Sequence, residues 1–214
     1  MPDEASLSAA RFDSDIVTRR VGDHTPRTDG DRGDHNLNPG MTPTLGPSGE
    51  LTPAAVLVAL IERPDGLTTL FTQRTNHLAH HPGQVSFPGG HADPDDTSPE
   101  DTALREAWEE VGLERDLVQI VGRLDQYHTR TGFAVTPVVG LVKPPFETRA
   151  DPHEVADIFE VPLDFLMDPA NHQRHSRDYQ GASRHFYAMP YNDRFIWGAT
   201  AGMLINMFNI LSVR

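Results

Sequence analysis

No cysteine occurs anywhere in the 214 residues. That excludes a disulfide framework, a thiolate nucleophile and a Cys-based zinc site, and it is compatible with a reducing compartment. Basic charge is also scarce: 18 Lys and Arg stand against 31 Asp and Glu, for a formal net charge of −13. Nonspecific binding to nucleic acid or to anionic membrane needs clustered Lys and Arg, so neither partner is expected. If the substrate is a phosphate ester, such a chain has to import positive charge, and a divalent metal would supply it. Long apolar runs are missing too. The longest, Trp197 to Val213, is interrupted by Asn206 and Asn209 and is short for a bilayer. Residues 1–17 carry acids and no apolar segment of the secretory kind. The expectation is a soluble, cytoplasmic protein. No HxH or HExxH spacing occurs among the histidines, which argues against zinc.

What is present divides the chain near residue 50. Residues 1–50 read as an N-terminal extension, with a short helix over 6–21 on the spacing of Ala9, Phe12, Ile16 and Val17. Between Gly22 and Glu50 there are six Gly, four Pro and no apolar period, a composition that predicts flexibility because little surface is available to offset ordering entropy. Residues 51–214 read as one folded domain. The apolar run Ala54 to Ile61 predicts a buried strand, with Leu67 to Arg74 as its hairpin partner across Arg63-Pro64-Asp65-Gly66. Val118 to Leu124 and Phe133 to Val142 predict further strands, and Pro137 predicts an edge or bulge in the second. A short strand is expected at Ile158 to Val161 and a closing helix at Gly198 to Val213. Strands and helices alternate without a strict βαβ rhythm, so the fold class is α+β, a mixed sheet flanked by helices in an α/β/α sandwich.

One helix is written plainly. Ser98 is a good N-cap, Pro99 suits the first helical position, Asp101 completes a capping-box pattern and Gly112 supplies the stop. Ala103, Leu104, Ala107 and Val111 fall on one side and should face the core. Glu106, Glu109 and Glu110 stand at i, i+3 and i+4 and so share another side. An acidic helical face is ordinarily a solvated one. If it lines a cleft, mutual repulsion calls for a cation, and hard carboxylate oxygens suit Mg²⁺ or Mn²⁺. The turn Phe87-Pro88-Gly89-Gly90 arrives just upstream, where glycine lets the backbone approach a ligand and a carbonyl can join a metal shell.

Gly90 to Leu113, GHADPDDTSPEDTALREAWEEVGL, resembles the Nudix box: G, five residues, E, seven residues, REUxEExGU with U aliphatic. Arg105 to Leu113 fits the second half, with Ala107 and Leu113 in the U places. In the first half the interval from Gly90 to Arg105 is one residue longer than the pattern, and the expected Glu falls at Asp96 or Thr97. Upstream, Leu70-Phe71-Thr72-Gln73-Arg74-Thr75 and Gly83-Gln84-Val85-Ser86-Phe87-Pro88-Gly89-Gly90 resemble the added signature of coenzyme A pyrophosphatases, with Ala79 where an Arg is expected and His80 and His81 beside it. Val135 to Gly140, Glu154-Val155, Phe159 to Leu163 and Trp197 to Gly202 also look like that subfamily.

The resemblance implies a Nudix-like fold and metal-assisted cleavage of coenzyme A, or its thioesters, into adenosine 3′,5′-bisphosphate and 4′-phosphopantetheine. It implies Glu106, Glu109, Glu110 and a Gly90 carbonyl as metal ligands, with Arg74, Gly83, Gln84 and Gly89 against substrate. Arg105 is expected to pin a glutamate, while Glu109 and Glu154 are both candidates for the general base. His128, Arg130, Arg123 and Tyr127 are either contacts to the adenine end or an ordinary polar loop. Trp108 and Trp197 are expected to pack. The partner is a small coenzyme A-like diphosphate, and a homodimer is admissible. Two other readings stay open: a Nudix hydrolase of another nucleotide diphosphate or triphosphate, and a noncatalytic nucleotide sensor on the same fold.

Overall fold

The computed structural model describes residues 12–30, 32–77, 83–179 and 181–212. Along the chain run α1 (Ser14–Gly22), β1 (Arg32–Gly33), β2 (Thr52–Arg63), β3 (Gly66–Arg74), β4 (Val85–Ser86) and β5 (Gly89–His91). Next come α2 (Pro99–Val111), β6 (Val118–Arg123), β7 (Tyr127–His128), β8 (Phe133–Val142), β9 (Val155–Pro162) and α3 (Leu163–Leu166). The chain closes with β10 (Gln173–Tyr179), β11 (Ala182–Tyr191), β12 (Arg194–Trp197) and α4 (Ala199–Ser212). Residues 6–11 of the expected N-terminal helix lie outside the described residues, as do Ala79, His80 and His81.

The apolar run in β2 is continuous because both faces of that strand are covered. Side chains alternate across a strand. Leu57, Ala59 and Ile61 therefore meet Ala103, Leu104, Ala107 and Val111 of α2 on one side. Val58 and Leu60 join Val17 and Val21 of α1 and Met203, Leu204 and Met207 of α4 on the other. Each such Leu, Ile or Val contributes roughly 1.5–3 kcal/mol by leaving water. β2 pairs in parallel with β8 from Thr52↔Phe133 to Ile61↔Val142, and antiparallel with β3 at the hairpin and with β5 at Val56↔Gly89. β9 lies antiparallel along β3. The result is a mixed sheet between helices, an α+β fold as expected.

Three local expectations are corrected. Pro137 is not at an edge, since β8 has β2 on one side and β6 and β7 on the other. Its missing donor is tolerated because β6 pairing ends at Arg123↔Val138 and β7 pairing begins at Tyr127↔Val135, leaving Pro137 at the gap. There its carbonyl accepts from the Leu124 N–H at 2.9 Å. Only half of the capping box forms: Ser98 Oγ accepts from the Asp101 N–H at 3.2 Å, but the Asp101 carboxylate turns to the Thr97 N–H and hydroxyl. The antiparallel sheet β10–β11–β12 had no counterpart among the expected elements; polar residues along β10 obscure its alternation.

The described residues between Gly22 and Glu50 make polar contacts to the domain that a count of apolar residues does not register. Asp34 accepts from the Tyr127 hydroxyl at 2.9 Å and the Arg130 N–H at 2.8 Å. Asn38 exchanges bonds with the backbone of His185 at 2.8 and 2.9 Å. Asp125 accepts from the Arg27 N–H at 3.0 Å, His24 at 2.8 Å and Asn206 Nδ2 at 2.8 Å. Hydrogen bonds of this kind, most of them part-buried, each contribute about 1 kcal/mol.

Candidate active site

The cap at Ser98 and the left-handed Gly112 (φ 68°) fix where α2 starts and stops, and hence which side chains it turns away from the core. Arg105 is the hub of that exposed side. Its guanidinium donates to Asp96 at 3.1 and 2.9 Å, to Glu106 at 2.8 Å, to Glu109 at 3.2 Å and to the His91 carbonyl at 2.9 Å. Asp96 also accepts from the Thr102 hydroxyl at 2.8 Å and the Asp93 N–H at 2.9 Å. Its hydrogen bond from Arg105 holds the Asp96 carboxyl well below the usual carboxylate range. The shorter acid at Asp96 thus braces the helix despite the altered spacing. The extra residue is absorbed between Asp96 and the N-cap, in the turn where Thr97 bonds Asp101.

Two glutamates point inward. Glu110 has only 7% of its side chain exposed, and Glu106 has 17%. Burial pushes the Glu110 carboxyl up to about 8; Glu106 pushes it further in that direction, while Arg74 pulls against it. Burial also raises Glu106, against the opposing bond from Arg105. The turn before the helix is built around these acids. A Cβ added to Gly90 would sit 2.5 Å from the Glu106 carboxylate, so any larger residue would displace that carboxylate from its present position. The Gly89 N–H donates to Glu110 at 3.4 Å.

Arg74, at the end of β3, stands between Glu110 and Glu154, with 3.9 Å from its Nη1 to each. The loop carrying Glu154 is held there by the Thr75 N–H, which donates to the Glu154 carbonyl at 2.9 Å. The Arg74 N–H donates to the Gln84 carbonyl at 3.0 Å, and Gly83 accepts from the Gln73 side chain at 3.4 Å. Arg74, Glu106, Glu110, Glu154, Gly83, Gln84, Gly89 and Gly90 therefore share one region. Glu109 differs: it is about half exposed and bonded to Arg105.

Among the described residues no three His, Asp or Glu side chains already form a metal cage. Yet the donor set fits a hard divalent ion. Glu110 is buried beside like-charged Glu106 and Glu154, and Arg74 is too distant for a short charge-assisted bond. A cation on Glu106 and Glu110 would remove that deficit and leave coordination positions for water and phosphate oxygen.

Residues 51–180 match the NUDIX domain family. The chain belongs to that family. It is 40% identical over 160 residues to the uncharacterized Nudix hydrolase NudL of Yersinia pestis (strain Pestoides F), covering 75% of this chain and 80% of the relative. NudL of Yersinia pseudotuberculosis (strain YPIII) matches to the same extent. Among solved structures, the Nudix hydrolase RenU of M. smegmatis has a TM-score of 0.45 at 23% identity, covering 58% of this chain and 81% of that one. This Nudix protein is an enzyme, a pyrophosphohydrolase acting on small molecules, and hydrolases of the family generally use divalent metals such as Mg²⁺ or Mn²⁺.

The loop that was an open candidate for adenine contacts is engaged elsewhere. Arg123 clamps Glu100 on α2 with two bonds of 2.6 Å, Tyr127 is buried on Asp34, and His128 pairs with Gln126 at 3.1 Å. Trp108 does not pack: 53% of it is exposed, on the outer side of α2. Trp197 is half-buried, edge-on to Phe186. No helix among the described residues is long and apolar enough to cross a membrane.

Proposed function

We propose that this Nudix enzyme hydrolyses the diphosphate of coenzyme A, and of its thioesters, to adenosine 3′,5′-bisphosphate and 4′-phosphopantetheine. The observation that carries the reading is the position of the upstream signature. Its Arg74 sits between Glu110 and Glu154, and its Gln84 carbonyl accepts a hydrogen bond from the Arg74 N–H. A motif outside the Nudix box thus delivers a guanidinium to the carboxylates that the box supplies. A guanidinium there suits a phosphate oxygen, by bidentate donation.

Glu106 and Glu110, with Glu109 at the rim and a carbonyl at Gly90, are assigned to hold Mg²⁺ or Mn²⁺. When bound, the ion neutralises the diphosphate and lowers the pKa of water at the site. Arg105 keeps Glu106 in position and stays off the substrate, because Asp96 holds it from the other side. Glu154 accepts the proton of the attacking water; it is exposed on a loop beside Arg74, whereas Glu109 is tied to Arg105. Gly89 lets the chain pass close to β2 so that substrate can reach the helix, with Arg74 and Gln84 flanking the phosphates. The protein is assigned to the cytoplasm, where coenzyme A is handled, and a homodimer remains the candidate assembly.

Incubation of the purified chain with coenzyme A and Mg²⁺ or Mn²⁺ tests the reading. Release of 4′-phosphopantetheine, faster than cleavage of diadenosine polyphosphates, nucleotide sugars or nucleoside triphosphates, is expected. Preference for one of those others would replace the substrate and keep the metal site. No turnover of any diphosphate would favour a sensor.

A further inference from the structure

A second concave region lies between α1 and α4, a cavity of about 650 Å³ lined by Arg19, Arg20, Arg27, Arg32, Asp125 and Asn209, among others. None of the α2 glutamates, nor Arg74 or Glu154, lines it. Four arginines meet only two aspartates there, Asp23 and Asp125, in a chain whose formal charge is −13. Asp125 is already engaged: it is 3% exposed and bonded to His24, to the Arg27 N–H, to Asn206 and, at 3.3 Å, to Arg32. Arg27 has Asp29 at 2.9 Å. Arg19 and Arg20, on the last turn of α1, have no ion-pair partner among the described residues.

We infer that this cavity is a binding site for a small phosphorylated molecule of nucleotide size, distinct from the site on α2. The volume falls within the roughly 300–1,000 Å³ of small-molecule pockets. Arg19 and Arg20, without an ion-pair partner among the described residues, offer two guanidinium groups to a phosphate monoester, which carries about −1.5 to −2 at neutral pH. Guanidinium forks bind such oxygens bidentately. Buried Ile210 offers apolar surface, and exposed Asn209 an amide that both donates and accepts, so more than the phosphate can be read. The site is composite: three of its arginine-bearing turns come from the N-terminal segment, and its floor comes from Asp125 and α4. Its occupant therefore clamps that segment to the domain.

AMP is the probe, because it has the phosphate and no diphosphate to cleave. Titration calorimetry on the full chain in EDTA is expected to show AMP binding and no binding of adenosine. The R19Q/R20Q variant is expected to bind at least about tenfold more weakly. R19K/R20K, which keeps the charge, should stay within about threefold, and an E106Q/E110Q variant should bind as wild type does. AMP failing to bind wild type would overturn the inference. So would equal affinity in R19Q/R20Q, equal binding of adenosine, or loss of binding in E106Q/E110Q.

Discussion

Two regions of this protein carry unbalanced charge, on helices that cover opposite faces of one sheet. On α2, buried Glu110 lies beside half-buried Glu106, with Arg74 at 3.9 Å from Glu110 and Arg105 bonded to Glu106 at 2.8 Å. Between α1 and α4, Arg19 and Arg20 stand beside a cavity whose buried aspartate is already bonded. The first would be relieved by a cation, and the second, as proposed above, would take an anion. They differ in construction as well. The acidic site is one turn of helix plus one glycine turn, close in sequence and braced by Arg105 and Asp96. The basic site joins Arg19, Arg20, Arg27 and Arg32 to Asp125 and to the end of α4. Buried Glu110 without a close partner is unfavourable and so calls for a cation, whereas Arg19 and Arg20 reach solvent and are distinguished by the cavity they line.

Breaking the acidic site should give the largest effect. Glu106→Gln is expected to lower kcat at least about a thousandfold, with the circular dichroism spectrum unchanged; equal rates in both proteins would remove Glu106 from the site. Glu154→Gln should be smaller, about a hundredfold in kcat with little change in KM, as general-base loss predicts. A wild-type rate would move the proton acceptor to Glu109.

The braces of the two regions can be compared by stability. Asp96→Ala leaves Arg105 without its main partner and should cost about 2–3 kcal/mol, lowering Tm by roughly 5–10 °C. Retention of wild-type Tm would show that the brace is idle. Acid is a gentler probe. Arg105 lowers Asp96; burial raises Asp125, but its bonds from Arg27, His24 and Asn206 more than offset that and leave it lowered. A carboxyl lowered in the folded state contributes stability that is fully present above its unfolded value, and that is lost as pH falls through the lowered one. The urea midpoint should therefore start to decline as pH drops below the ordinary carboxylate value, about 4, and Asp125→Asn should flatten that decline. An unchanged slope would mean that Asp125 titrates alike folded and unfolded. The smallest effect is expected from Arg19→Gln with Arg20→Gln, within about 0.5 kcal/mol of wild-type stability as for surface changes, and no change in turnover. A large loss of turnover would join the two regions that are kept separate here.

Legibility followed sequence distance. The α2 helix, its cap, its glycine stop and its core-facing residues were readable because capping and helical periodicity act within one or two turns. The run in β2 was readable because covering both strand faces leaves no polar position. Pro137 misled, since its place beside the gap between β6 and β7 depends on two other strands. The polar sheet β10–β11–β12 has no strong alternation to read. The contacts of Asp34 and Asn38 were unreadable for a related reason: their hydrogen-bond partners lie about a hundred residues or more away, which composition does not contain.

By itself, the sequence determined that Glu106, Glu109 and Glu110 occupy one helical face behind a glycine turn, because a 3.6-residue period leaves no alternative. Only the tertiary structure decided that Glu106 and Glu110 turn inward while Glu109 stays at the rim. It also decided that Asp96 replaces the expected brace, and that Arg74 and Glu154 stand beside the acids. The same holds for the arginines of the N-terminal segment, which acquire a common cavity only when α1 is laid against α4. Local geometry follows from spacing, whereas burial, and with it the charge that must be imported, depends on which distant elements meet.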